Sequence, residues 1–327
     1  MRDSHLARLT DLPALQELTL DSCPIGDWAI SHLADNNVVP NLTSLDLADT
    51  DLTDLGMVHL AKFKKLKRLS LFYCNITNGG LRHIKRLDSL EVLNLDSREI
   101  GDDGLWYLRN LTKLKSLDIF SGRITDAGCA HLAKIKSLES LELCGGGIGD
   151  LGCSMLATLE KLTSLNLSQN DRITNRGAAA LAALSNLKAL NLSNTRVNSA
   201  ALVYFSDLMR LQSLALYGCR GIDDESHGID LLQSGLPSLK CVRLNNGSDE
   251  DGTITHSGAG SDSESDGDDF DSEPEIIYSR RTTNVAPFQD SDGDDDDDDD
   301  DSEMEDADVA VDDRSDDSSS YFSGPDY

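Results

Sequence analysis

Residues 114–137 read Leu-Lys-Ser-Leu-Asp-Ile-Phe-Ser-Gly-Arg-Ile-Thr-Asp-Ala-Gly-Cys-Ala-His-Leu-Ala-Lys-Ile-Lys-Ser. Leu117 and Ile119 alternate with polar residues, the period of a strand with one buried face. Ile124 follows, and Asp126, an N-cap residue type, opens a stretch in which Cys129, Leu132 and Ile135 recur every three residues, the spacing of an apolar helix stripe. One strand and one helix in 24 residues cannot bury their own apolar faces.

The unit recurs through the chain. The pattern L-x-x-L-x-L begins at Leu15, Leu42, Leu66, Leu90, Leu114, Leu138, Leu162, Leu187, Leu211 and Leu239, in steps of 27, 24, 24, 24, 24, 24, 25, 24 and 28. Stacking supplies each unit with its missing partner, which predicts an α/β solenoid with a parallel β-sheet on the concave face and helices on the convex face. Asp27, Asp54, Asn78, Asp102, Asp150, Asn175, Ser199 and Asp224 share the place of Asp126, so an N-cap and a helical segment are predicted at each. Glycine stands two residues later at Gly56, Gly80, Gly104, Gly128, Gly152 and Gly177, which predicts close approach of helix and strand backbones.

Both ends of the repeat region carry information. Asp3, Leu6, Leu9 and Leu12 align with Asp54, Met57, Leu60 and Phe63, so the chain starts at the helix of a repeat. Either residues 3–12 cap the solenoid, or they are the back of a repeat in a longer protein. The last strand, 239–245, runs into Gly247 and Ser248, so the final sheet edge is expected to be loosely covered.

Charge divides the chain at residue 246. After it fall 30 of the 58 acidic side chains but only 3 of the 29 basic ones, leaving the solenoid, 1–246, at −2 and the segment 247–327 at −27. The Ser/Asp/Glu/Gly composition of 247–327 cannot bury enough apolar surface to offset chain entropy, which predicts a disordered acidic tail. Its field repels phosphate backbones and argues against nucleic-acid binding. Ser261, Ser263, Ser265, Ser272, Ser291 and Ser302 each precede an acid by three residues, the pattern of acidophilic kinase sites, and phosphorylation there would deepen the field. Two less acidic islands, 276–288 and 321–327, read as short docking motifs or as spacer.

No apolar run reaches the length of a membrane span, and Met-Arg-Asp-Ser-His at the start lacks a signal-peptide core. Seven scattered cysteines without a C-x-x-C spacing read as reduced thiols, so the cytoplasm or nucleus is expected. Cys23, Cys74, Cys144 and Cys219 are expected as small buried side chains.

Two apparent chemical motifs dissolve in the repeat. Gly147-Ile148-Gly149-Asp150-Leu151-Gly152 matches G-x-G-x-x-G, but Ile148, Asp150 and Gly152 are the residues every neighbouring unit carries there. His32, His59, His83 and His131 occupy one slot on successive helices, roughly 10 Å apart, too far to share a zinc ion held at about 2 Å. With no nucleophile beside a base and orienter, no enzyme activity, cofactor or metal is expected.

Residues flanking the inward leucines point to the concave face and stack into ladders. The middle ladder is Thr19, Asp46, Ser70, Asn94, Asp118, Glu142, Asn166, Asn191, Ala215, Arg243; the next is Asp21, Ala48, Phe72, Asp96, Phe120, Cys144, Ser168, Ser193, Tyr217, Asn245. Phe72 and Phe120 would stand roughly 10 Å apart, two strand spacings, with Asp96 between them and Tyr73, Arg98, Asp118, Arg123 and Glu142 around them. Exposed aromatics among charges compose binding hot spots, so this patch, with Asp46 and Tyr217 on the same face, is the predicted protein-binding site. The competing expectation is that loops half-bury both phenylalanines.

The unit L-x-x-L-x-L-x-x-C/T-x-I-T-D-x-G-L-x-x-L, best seen at Leu69-Ser-Leu-Phe-Tyr-Cys74-Asn-Ile76-Thr77-Asn78 and Leu141-Glu-Leu-Cys-Gly-Gly-Gly-Ile148-Gly-Asp150, resembles the cysteine-containing, plant-type leucine-rich repeats of F-box proteins over residues 3–246. The resemblance implies a non-enzymatic scaffold that presents a protein substrate to an SCF-type ubiquitin ligase; the chain begins inside a repeat and shows no F-box. The layout of repeats followed by an acidic tail is similar to Ran GTPase-activating proteins, whose repeats are longer, and to acidic nuclear phosphoproteins that bind histones, which lack the Asp-x-Gly helix start. That layout implies, as the alternative, a small-GTPase regulator or a chaperone-like binder of histones and other basic proteins through the tail. A monomer is expected.

Overall fold

A computed structural model describes residues 1–95, 99–120, 123–222, 227–244 and 253–255. Asp96, Arg98 and the serines Ser261, Ser263, Ser265 and Ser302 lie outside the described residues, as does nearly all of 247–327. Ten parallel strands run in chain order through one sheet: β1 (Glu17–Thr19), β2 (Ser44–Asp46), β3 (Arg68–Ser70), β4 (Val92–Asn94), β5 (Ser116–Phe120), β6 (Ser140–Cys144), β7 (Ser164–Asn166), β8 (Ala189–Asn191), β9 (Ser213–Ala215) and β10 (Cys241–Arg243). A short strand, β11 (Thr253–Thr255), pairs antiparallel with β10. It closes the sheet edge that the sequence left loosely covered and extends the sheet beyond residue 246.

The convex layer holds α1 (Asp3–Leu6), α2 (Asp27–Asp35), α3 (Asp54–Leu60), α4 (Asn78–Leu81), α5 (Asp102–Leu105), α6 (Asp126–Leu132), α7 (Asp150–Leu156), α8 (Asn175–Leu181), α9 (Leu202–Phe205) and α10 (His227–Gly235). The predicted inward positions are buried: Leu117, Ile119, Ile124, Cys129, Leu132 and Ile135 each expose 1% or less. Leu6 is fully buried in the same core, so the helix at 3–6 packs as the helix of a repeat. No described helix is long and apolar enough to cross a membrane.

The starts of the described helices differ from the expectation, the predicted cap Asp224 lying outside the described residues. The aspartates that sequence reading places at the N-cap are the first helical residues, and the caps are the preceding residues. Thr53, Thr77, Thr125 and Thr174 accept with Oγ1 from the amides of Leu55, Gly79, Ala127 and Arg176 at 3.0–3.3 Å. The aspartate instead reaches one repeat onward. Asp27 accepts from the Thr53 amide at 2.8 Å, the Thr53 hydroxyl at 2.7 Å and the Gly56 amide at 2.8 Å. Asp150 does the same to Thr174 and Gly177 at 2.8, 2.7 and 2.8 Å, and Asp126 accepts from Gly149 and Gly152 at 2.7 and 2.9 Å. Asp3, Asp54, Asn78, Asp102 and Asn175 serve the next repeat likewise. Each threonine caps its own helix while each aspartate caps its neighbour's, satisfying orphan N–H groups that would otherwise stay unpaired.

This clamp also gives the glycine its reason. A Cβ on Gly80 would lie 2.3 Å, and one on Gly152 2.6 Å, from the clamping oxygen of Asp54 or Asp126. The expected close approach is real, but the partner is the previous repeat's carboxylate as well as the repeat's own apolar side chain. Gly149 and Gly152 spend their amides on Asp126, so the G-x-G-x-x-G loop is engaged by the fold itself.

A second cross-repeat ladder lies under the turns. Cys74 and Cys219 donate their thiols to Leu47 O and Leu192 O at 3.0 and 3.1 Å, and Asn170 donates Nδ2 to Leu143 O at 2.8 Å. Cys74 and Cys219 are therefore buried donors rather than simple hydrophobes, whereas Cys23 and Cys144 are only half-buried. All seven cysteines are free thiols, and burial pushes Cys74 and Cys153 up, the latter to about 12.

Candidate protein-binding face

The sheet register reproduces the middle ladder in order, pairing Thr19, Asp46, Ser70, Asn94, Asp118, Glu142, Asn166, Asn191, Ala215 and Arg243 across neighbouring strands. Several ladder side chains close the strand ends. Asp46, Asn166 and Asn191 accept with Oδ1 from the amides of Ala48, Ser168 and Ser193 at 3.0, 3.1 and 2.9 Å. The Asp46 carboxylate is thus partly committed to its own turn.

The middle of the face is different. β5 and β6 extend over five residues where the other strands have three, and the extra register brings Phe120 opposite Cys144. The buried-donor slot filled by Cys74, Asn170 and Cys219 holds Gly122 and Gly146 in these two repeats; Gly122 lies outside the described residues. The turn donor is missing from the sequence in the two repeats whose strands lengthen.

Phe120 is 44% exposed. Its ring lies over Gly145, where an added Cβ would come within 3.4 Å and where φ is +71°. Phe72 is half-buried, its ring edge-on to Tyr73 with centroids 4.5 Å apart. Tyr73 is 52% exposed and its backbone has φ +56°. The same left-handed turn position is Gly145 and Gly218 in two other repeats and Ser22, Asp49, Gln169 and Asn194 in four; glycine meets no Cβ penalty there, whereas a bulky side chain is strained by about 1–2 kcal/mol. The expectation of half-burial holds for Phe72 and not for Phe120.

Acidic groups lie beside the rings. Asp118 and Glu142 are register partners on β5 and β6, and Asp118 accepts from Asn94 Nδ2 at 3.3 Å. Burial holds the Glu142 carboxyl above the usual carboxylate range, opposed by a hydrogen bond with Asn166. A raised folded-state pKa means that protonation favours the fold. The stabilisation is complete below the unfolded value and is lost as pH rises through the folded one. Glu142→Gln is therefore expected to raise the thermal midpoint at pH 7, with the gain vanishing toward pH 4, as measured by scanning calorimetry across that range.

Arg123 is exposed and engages Glu99 with both guanidinium nitrogens, at 2.7 and 3.2 Å, which places it at the rim. Tyr217 is 57% exposed but stands beyond β9, four strands from Phe120, and is not part of the cluster. Phe72, Tyr73, Asp118, Phe120 and Glu142 thus share the face of β3–β6. Sequence reading missed the committed state of Asp46, which alternation alone does not show. Replacing Tyr73 by glycine should raise stability by up to about 1 kcal/mol through relief of the left-handed backbone, visible as a higher urea midpoint.

The expected histidine slot does not form a cluster. His59 pairs with Asp35 at 2.9 Å and His32 stacks on Trp28 with centroids 5.3 Å apart. Among the described residues no group of three or more His, Cys, Asp or Glu side chains could hold a metal ion.

Family models described as leucine-rich repeats match the chain, one over residues 136–197 and another at 40–61, 64–85 and 110–133. The matched segments are leucine-rich repeats. No curated protein matches it. Among solved structures it is similar to an internalin, inlF, from Listeria monocytogenes strain 4b F2365, at 26% identity and TM-score 0.54 over 74% of this chain and 70% of that one. Internalin C2 from the same strain matches at 23% identity and TM-score 0.48, covering 74% and 84%. A plant peptide hormone receptor, RGFR1, solved in complex with RGF2, matches at 17% and TM-score 0.46, covering 73% and 46%.

Proposed function

We propose that this protein is a non-enzymatic, monomeric binding scaffold whose concave face over β3–β6 takes a segment of a partner protein. The observation that carries the reading is Tyr73. A bulky aromatic is kept exposed on a left-handed backbone, at a turn position that holds Ser22, Asp49, Gly145, Gln169, Asn194 or Gly218 in other repeats, none of them aromatic. Strain held at a surface position points to use of the side chain. Phe72 and Phe120 add apolar area beside it, and Asp118 and Glu142 add negative charge. Along β1–β6 the concave strand positions carry Glu17, Asp46, Asp118 and Glu142 against the single base Arg68. The complementary partner is a segment that sets a lysine or arginine among apolar side chains.

Within this reading the narrower version is substrate recognition for an SCF-type ubiquitin ligase, supported by the likeness of the Leu69–Asn78 and Leu141–Asp150 units to the repeats of F-box proteins. Seven free thiols support a reducing compartment, the cytoplasm or nucleus. The acidic face and the −27 segment favour a basic partner over nucleic acid or a membrane surface, which also keeps the histone-type partner as the second version. Affinity purification of the full chain separates these. Recovery of an adaptor and a cullin supports the ligase version, and recovery of histones in a salt-sensitive manner supports the second. A partner retained in full by Phe72→Ala/Phe120→Ala ends the concave-face reading.

A further inference from the structure

Several bases near the helix ends are already engaged by the fold. Lys62 and His59 share Asp35 at 2.6 and 2.9 Å, Lys67 and Lys115 share Glu91 at 3.6 and 3.1 Å, and Lys136 donates to Thr158 O at 3.0 Å and Thr158 Oγ1 at 2.9 Å. The groove between the segment that follows α5 and the C-terminal end of α6 is different. It has a volume of about 660 Å³ and is lined by Arg109, Asn110, Thr112, His131 and Lys134, with no carboxylate. Among the described residues, none of these five side chains takes a hydrogen bond or an ion pair. Arg109 is half-buried, and its guanidinium lies over the Trp106 ring, 3.9 Å from the centroid. Tyr107 braces Trp106 edge-on with centroids 5.1 Å apart and packs against the core. The stack fixes the plane of the guanidinium while Trp106 stays 41% exposed. Bases at helix ends complement the peptide dipoles, but a dipole does not select an arginine clamped in one plane.

We propose that this groove binds a phosphorylated serine or threonine side chain of a partner protein, at a site separate from the concave face. Charge selects the ligand. Arg109 and Lys134 bring two positive charges together, and a carboxylate would answer only one of them. A phosphate monoester carries about −1.5 to −2 and three strong acceptor oxygens. The guanidinium fork takes two of those oxygens side by side, and the ammonium meets the phosphate as a point charge. Thr112 and Asn110, both exposed, and His131 supply further donors at the rim. Because Trp106 already holds the guanidinium, less side-chain freedom is lost when it binds. The exposed face of Trp106 gives apolar cover to the residue beside the phosphate. The source of the phosphate follows from shape and charge. Small-molecule sites bury most of their ligand, whereas this groove is open to solvent and suits a passing chain segment. A nucleic acid would set many phosphates against a chain of net charge −29, while a single phosphate meets the local pair at short range.

The test is binding of the full chain to a degenerate peptide library with a central phosphoserine or phosphothreonine, compared with the same library unphosphorylated. The phosphorylated library should bind about tenfold more tightly or better. Lys134→Gln, at an exposed position that leaves the Trp106 stack intact, should remove most of that preference, and Arg109→Gln should do the same. Lys240→Gln, exposed before β10, and Phe72→Ala/Phe120→Ala on the concave face should leave it unchanged. Inorganic phosphate should compete about tenfold less well than the phosphorylated peptides, since it lacks the contact with Trp106. Equal binding of the two libraries overturns the proposal, as does a preference that survives Lys134→Gln or is lost with the concave pair. Competition by inorganic phosphate as potent as by the peptides, or tighter binding of a single-stranded oligonucleotide, overturns the assignment to a partner protein.

Discussion

Gly152→Ala is expected to destabilise the solenoid by about 2–3 kcal/mol, although alanine is the better helix former by about 1 kcal/mol. The reason is the clamp between repeats. A Cβ at 152 would sit 2.6 Å from Asp126 Oδ1, 2.8 Å from Ile148 Cγ2 and 3.1 Å from Cys129 Sγ, and none of these can retreat cheaply. Ile148 and Cys129 are fully buried, and Asp126 holds the amides of Gly149 and Gly152. Moving the carboxylate would strand two N–H groups, each costing about 1–3 kcal/mol. Gly235→Ala supplies the control: nothing lies within 4 Å of that Cβ, so helix propensity decides and stability should rise slightly. Urea unfolding of the two variants reads both signs. A neutral Gly152→Ala would show that the aspartate clamp does not set the helix spacing.

The second large effect belongs to the binding face. Phe72→Ala/Phe120→Ala should weaken partner affinity by about 30-fold or more for each ring that acts as an anchor, since hot-spot truncations cost about 2 kcal/mol or more. The fold should tolerate the change, because Phe120 is 44% exposed and Phe72 is only half-buried. Leu55 and Leu151 are more exposed, at 73% and 58%, and lie on the convex helices α3 and α7. Their alanine variants should leave affinity unchanged. Titration calorimetry with a recovered partner distinguishes the two faces, and a loss confined to the convex pair would reverse the assignment.

The leucines made the fold legible because each inward position repeats within one unit and needs no distant partner to be read. The helix start was legible only in type. Thr125 and Asp126 are both N-cap residues, and the hydrogen bonds that separate their roles run 23–26 residues along the chain, outside any local window. The same distance hid the steric duty of Gly80 and Gly152, whose neighbours are side chains of the preceding repeat. On the binding face, alternation named the outward residues and their order. It could not show that Asp46 serves its own turn, that Arg123 is held by Glu99, or that Tyr73 lies on a left-handed backbone, since these depend on turn geometry. The lengthened β5 and β6 had one trace in the sequence, the loss of the cysteine or asparagine donor at Gly122 and Gly146.

A photoreactive phenylalanine analogue at position 120, compared with the same analogue at position 151, tests the binding face most directly. The concave-face account predicts a discrete protein cross-link from position 120 in cells expressing the full chain, and none from position 151. Cross-linking from 151 with silence at 120 would contradict it.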